Sequence, residues 1–132
     1  MRKGLILVGF VLLTGACRGA PVTDSAPITR GVETVGAELF AERVIGANPG
    51  CITCHSLEPG VTLVGPSLAE VVSPIPGQTQ AEYVRESILE PDAYVGEGFV
   101  AGQMPGGWED LLSAEQIASL VTLLSGEEPF NG

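Results

Sequence analysis

Apolar residues along this chain gather in one continuous run and three helical clusters, separated by stretches where glycine and proline break any pattern. The run, Gly4 to Leu13, follows Met1, Arg2 and Lys3 and stops at Thr14. It is short of the roughly 20 apolar residues of a membrane span, and its charged start and apolar middle are those of an export signal. Leu39, Phe40, Arg43 and Val44 recur at helical spacing and predict a helix from Gly36 to Val44, stopped by Gly46, Asn48, Pro49 and Gly50. Thr79 with Glu82 forms a capping box for a helix carrying Tyr83, Val84, Ile88 and Leu89, which Pro91 ends. Ser113 with Gln116 opens another, with Ile117, Leu120, Val121 and Leu124 on one face and Gly126 at its close. Between these lie Gly60, Gly65, Pro66, Pro74, Pro76 and Gly77, a stretch whose course must be imposed by something it wraps. No useful strand alternation and no repeat appears, so the expected fold class is all-α with three to four helices.

Residues Arg18 to Val35 mix Gly19, Pro21, Pro27 and Gly31 with no sustained period and read as a flexible tether. The expected organisation is therefore a signal peptide over 1–16, an anchor and tether over 17–35, and one domain over 36–132. Leu13, Thr14, Gly15 and Ala16 lead into Cys17 in a manner that resembles the lipobox of bacterial lipoproteins, with Thr14 where lipoboxes usually carry Leu. The resemblance implies lipidation of Cys17 and a place on the outer face of the cytoplasmic membrane. The other reading is an ordinary signal peptide cut after an alanine, which leaves Cys17 an odd thiol in an exported protein.

Composition agrees with one compact domain: 132 residues, 45% hydrophobic, mean hydropathy +0.32. With only 5% aromatic residues, a core built from side chains alone would be thin, and a bound cofactor would supply the missing bulk. Removal of the signal leaves four scattered arginines, Arg18, Arg30, Arg43 and Arg85, no lysine, and 16 acidic residues. Nucleic acids and anionic lipid surfaces both require a basic patch, so neither is an expected partner.

The chemistry sits in Cys51, Ile52, Thr53, Cys54 and His55, the C-x-x-C-H haem attachment signature. Two thiols at this spacing can each add to one vinyl group of a single haem while the adjoining imidazole reaches the iron. Three other readings compete: a C-x-x-C redox couple, which belongs beside a βαβ pattern; a zinc site, which needs a fourth ligand; and a disulfide that leaves His55 a coincidence. His55 is the only histidine, and Met104 is the only methionine besides Met1. Bis-histidine ligation within the chain is thereby ruled out. Met104, in a loop with Gly102, Pro105, Gly106 and Gly107, is the candidate sixth ligand rather than a gap-filler on an apolar helix stripe.

On these residues the stretch from Gly36 to Gly126 resembles class I monohaem cytochromes c. That resemblance implies a cytochrome c fold whose helices wrap one covalent haem c, with the Gly36 to Phe40 segment packed across the last helix. Gly65, Pro66, Ser67 and Leu68 look like the family's Gly-Pro-x-Leu turn, which implies that the Pro66 carbonyl accepts the ring N–H of His55. Leu68, Tyr83, Ile88, Tyr94, Phe99 and Leu111 are candidates to line the haem. Trp108 could reach a propionate through its indole N–H or simply pack. The segment Tyr83 to Pro91 leading to Met104 and Pro105 is also similar to cytochrome c domains of respiratory complexes, including the monohaem lipoprotein subunit of alternative complex III.

The resulting expectation is an electron-transfer protein, not an enzyme. Its iron, filled by His55 and Met104, takes no small-molecule substrate. Its partners would be a quinol-oxidising complex or cytochrome as donor and an oxidase or reaction centre as acceptor. Two further classes stand beside it: a haem enzyme or gas sensor with a labile sixth ligand, and a haem-free lipoprotein with a structural role.

Overall fold

The computed structural model describes residues 27–69 and 71–127. The expected signal peptide, the lipidation candidate Cys17 and the tether up to residue 26 lie outside them. The described chain is mainly helical with one small antiparallel ladder: α1 Pro27–Ala41, β1 Val44–Ile45, β2 Asn48–Pro49, α2 Cys51–Cys54, α3 Gln80–Leu89, α4 Trp108–Leu111 and α5 Ala114–Ser125. No helix among the described residues is long and apolar enough to cross a membrane.

Both helices with capping boxes begin where the sequence puts them. Thr79 Oγ1 accepts from the Glu82 N–H at 3.2 Å while Glu82 Oε2 accepts from the Thr79 N–H at 2.8 Å. Ser113 and Gln116 make the same reciprocal pair at 3.3 and 2.9 Å, satisfying donors that the first turn leaves without helical partners. Gly126 closes α5 in the left-handed region at φ 67°, where a side chain would be strained.

The first helix departs from expectation at both ends. It begins at Pro27 instead of Gly36, so the last part of the stretch read as a tether is helical, and it stops at Ala41, leaving Val44 to β1. Proline suits a first helical turn because the missing N–H would be unpaired there anyway. A stretch containing Gly31 and Gly36 has poor helix propensity, and tertiary packing on α5 compensates in a way no local pattern reports. The ladder adds strand to the expected all-α class. It pairs Val44 with Pro49 and Ile45 with Asn48 around Gly46 at φ 61°, too few residues to create an alternation.

Helix α5 packs against both α1 and α3. Phe40, Ile45, Ala81, Val84, Ile88, Trp108, Leu112, Ile117, Leu120 and Val121 form the buried core. The α1 and α5 backbones approach closely at Gly36: a Cβ there would stand 2.8 Å from the Ser119 carbonyl carbon and nearer still to its oxygen. Gly36→Ala should therefore push the helices apart. The overpacking loss of about 1–3 kcal/mol exceeds the gain of about 1 kcal/mol that alanine brings to helix propensity. The expected result is a lower urea midpoint with unchanged m; an equal or higher midpoint would refute the close crossing.

Candidate cofactor site

Helix α2 is a single turn, and a spacing of three puts Cys51 and Cys54 on one face of it. Its start is held by Thr53, whose hydroxyl donates to the Gly50 carbonyl at 2.6 Å and whose N–H donates to the same atom at 3.0 Å. Gly50 has no room for a side chain, because a Cβ would run into the Glu42 carbonyl where the chain leaves α1. Both thiols are free and half-buried. Burial pushes the Cys51 thiol above its ordinary value, its backbone hydrogen bond pulls partly back, and Cys54 adds to the push. The thiol is therefore neutral at neutral pH.

His55 caps this turn, its N–H donating to the Cys51 carbonyl at 2.9 Å, and its extended backbone turns the chain away. The imidazole Nδ1 lies 2.9 Å from the Pro66 carbonyl oxygen. A proline carbonyl can only accept, so Nδ1 carries the proton and donates. In the neutral ring Nε2 is then a free lone pair. Gly65 makes this pose sterically allowed, since a Cβ on it would stand 2.8 Å from Nδ1 and 2.9 Å from Nε2. Two backbone bonds fix the turn against the motif: Gly65 N–H to the Cys54 carbonyl and Leu68 N–H to the Ser56 carbonyl, both 2.8 Å.

The motif opens on a cavity of about 320 Å³, at the lower end of the size usual for cofactor sites. Cys51, Cys54, His55, Pro66 and Met104 all line it. Sequence positions as distant as His55 and Met104 thus meet at one space. Met104 is half-buried, and its loop is pinned at Gly102, whose N–H donates to Asp92 Oδ1 at 2.7 Å. Asn48 Nδ2 reaches the Gly106 carbonyl at 3.5 Å and ties the far side of that loop to the ladder.

The cavity walls are mostly apolar, with Ser87, Asp92 and Gln103 among the lining residues. Leu68, Tyr83, Ile88, Tyr94 and Phe99, the sequence's candidates for a haem lining, line this cavity, and Tyr83 meets Tyr94 edge-on at 6.0 Å and 77°. Leu111 does not: it is 39% exposed and lies over Gly46, while buried Leu112 takes the lining position. The two sit in consecutive positions around a four-residue turn, α4, too short to reveal a period. Val64, Val71, Val95 and Val100 also line the space and escaped the sequence reading, because they sit in irregular segments. Leu120 and Leu124 were visible as an α5 face but not as cavity wall. Trp108 lines the cavity, is 4% exposed, and its Nε1 has no partner among the described residues.

Comparison with protein-family models and with curated proteins returns no match for the chain.

Gly65→Ala should drive the His55 ring off its seat and break the bond to Pro66. Because the chain has one histidine, nitrogen NMR of labelled protein without any bound group reads this directly. The native chain is expected to hold the Nδ1–H tautomer, and the variant to lose that preference. Pro66→Ala, which keeps the carbonyl, should lose less. Equal tautomer populations in the native chain would overturn the assignment.

Proposed function

We propose that the chain attaches one haem through thioethers at Cys51 and Cys54, ligates its iron with His55 and Met104, and transfers single electrons. The observation that carries this reading is the 2.9 Å bond from His55 Nδ1 to the Pro66 carbonyl, which frees Nε2 for a metal in the cavity that both thiols and Met104 line. In metal sites this second hydrogen bond fixes the tautomer and orientation of the ring and raises its basicity. The mostly apolar walls suit a macrocycle, and the absence of a side chain at Gly65 leaves room for an imidazole held in one orientation. The finer fold is read the same way: α1 crossing α5 at Gly36, with α3 and the glycine-rich loops around the cavity, is the arrangement of a cytochrome c.

When bound, the haem supplies one-electron exchange between two oxidation states of iron. The chain's own residues set the conditions for it. Cys51 and Cys54 prevent dissociation, His55 donates a lone pair aligned by Pro66, and the Met104 thioether favours the reduced state. Tyr83, Ile88 and Phe99 keep water from the cavity and so disfavour added charge. With His55 and Met104 both holding the iron, no position would be left for a substrate, so in this reading the protein would be a carrier and not an enzyme.

Exported over 1–16 and lipidated at Cys17, the domain would stand on the outer face of the bacterial cytoplasmic membrane, as a subunit or tethered relay of a respiratory or photosynthetic chain. A quinol-oxidising complex or cytochrome is the donor in this reading, and an oxidase or reaction centre the acceptor. Two features support docking without a lysine ring: the chain has no lysine beyond Lys3, and Val64, Tyr94 and Val100 are both exposed and cavity-lining, which makes the mouth apolar.

Expression with export and haem attachment should give a chain that retains haem stain after denaturation, lost when Cys51 and Cys54 are both changed to Ser. Met104→Ala should abolish the weak far-red band of iron–methionine bonding, admit carbon monoxide and lower the potential. An unchanged spectrum removes Met104 from the iron; rapid carbon monoxide binding by the native protein makes it an enzyme or sensor; a colourless chain ends the haem reading. For the anchor, mass measurement should find acyl groups on Cys17 as the first residue, and Cys17→Ser should release the protein from membranes. A native mass without lipid overturns that part alone.

A further inference from the structure

We propose that Asp92 is the positioning residue for Met104: its carboxylate holds the loop at Gly102 and so keeps the thioether on the iron, and losing this one acceptor would open the iron to outside ligands. The inference rests on the function proposed above. Asp92 follows Pro91 at the end of α3, where the helix closes with the Glu90 N–H on the Glu86 carbonyl at 2.6 Å and the Ala93 N–H on the Glu90 carbonyl at 2.8 Å. The carboxylate is therefore carried by the end of a packed helix. From there Oδ1 accepts from the Gly102 N–H at 2.7 Å. Gly102 stands at φ 75°, a backbone state open mainly to glycine.

Little else fastens this part of the chain. Between α3 and α4 there is no helix or strand. The backbone bonds inside the loop, Phe99 N–H to the Gly96 carbonyl at 3.2 Å and Gln103 N–H to the Val100 carbonyl at 3.3 Å, only close local turns. Two hydrogen bonds among the described residues reach further: Asp92 to Gly102, short and made to an ionised acceptor, and Asn48 to Gly106, at 3.5 Å the longest such bond can be. Met104 comes two residues after Gly102. With the Asp92 bond made, the thioether hangs on a short arm; without it, on the whole span between the two helices. A thioether brings no charge to a metal, so its residence there depends on how much of that span is already ordered. Asp92 does the ordering in advance, offsetting entropy that the loop would otherwise lose at each return of Met104.

The test uses the holoprotein, with covalent haem established by mass and Met104 ligation by the far-red band; a native protein lacking either overturns the function proposed above and this inference with it. In the oxidised holoprotein, saturating imidazole replaces Met104 at a rate limited by departure of the thioether. Asp92→Ala should raise that rate about tenfold, the loss of one hydrogen bond to a charged group. Asp92→Asn, which keeps the Oδ1 acceptor, should restore most of the native rate, and Asn48→Ala should change it less than Asp92→Ala does. A native rate in Asp92→Ala, or a rate as fast in Asp92→Asn, overturns the proposal. Amide exchange in the reduced native holoprotein tests it without any variant: the Gly102 N–H should be protected, and free exchange there overturns the proposal even if Asp92→Ala fails to fold.

Discussion

With no side chain at Gly36, α1 can lie against the Ser119 carbonyl of α5, and that contact sets the distance at which the two ends of the domain close on each other. Phe40, one turn further along α1, is thereby buried to 3% and reaches the cavity, and Leu120 beside Ser119 does the same from α5. Helix α3 then packs on α5 and supplies Val84 and Ile88. The frame is thus three helices that meet on one side of a space they do not fill. The rest of the described chain is the two-residue ladder, the single turns α2 and α4, and irregular segments around that space.

How those irregular segments are fastened separates what could be read in the sequence from what could not. Capping boxes, the glycine after α5 and the cysteine motif are short signals at fixed offsets, and each lies where the pattern put it. Leu68, Tyr83 and Phe99 are candidates for the haem lining on the sequence, and they line the cavity. Val64, Val71 and Val100 carry the same chemistry but sit in chain with no period, so nothing local marks which way they turn. The start of α1 at Pro27 has no local signal either: Gly31 breaks the pattern, and the helix as a whole is supported by its packing on α5, a partner remote in sequence. Leu112 and not Leu111 faces the cavity, and the sequence cannot distinguish them because one four-residue turn does not fix the phase of its faces.

The long segment between α2 and α3 shows how a chain without regular structure acquires a definite course. Ser67 Oγ donates to the Glu58 carbonyl at 2.7 Å, Gln80 Nε2 to the Val71 carbonyl at 2.6 Å, and Gln78 Nε2 to Glu86 at 2.7 Å. Small polar side chains take the place of the backbone ladder that a helix or strand would provide. Proline and glycine in this segment remove alternatives, and the polar residues select among those left. The aromatic-poor composition is consistent with such a design, since the apolar walls are spread around a cavity instead of condensed into a solid core.

The sequence separations of these contacts carry a kinetic meaning. His55 meets Pro66 across 11 residues and Asp92 meets Gly102 across 10, whereas Gly36 meets Ser119 across most of the domain. Loop-closure entropy grows by about 0.6 kcal/mol with each doubling of length, so the α1–α5 crossing carries the larger closure cost and the two local bonds the smaller. The imidazole can thus be seated, and the Met104 arm bent, while the two ends of the chain are still apart. A chain whose ends have not yet met would present both thiols of α2 at the edge of an open bowl, accessible from the side that the α1–α5 crossing later closes.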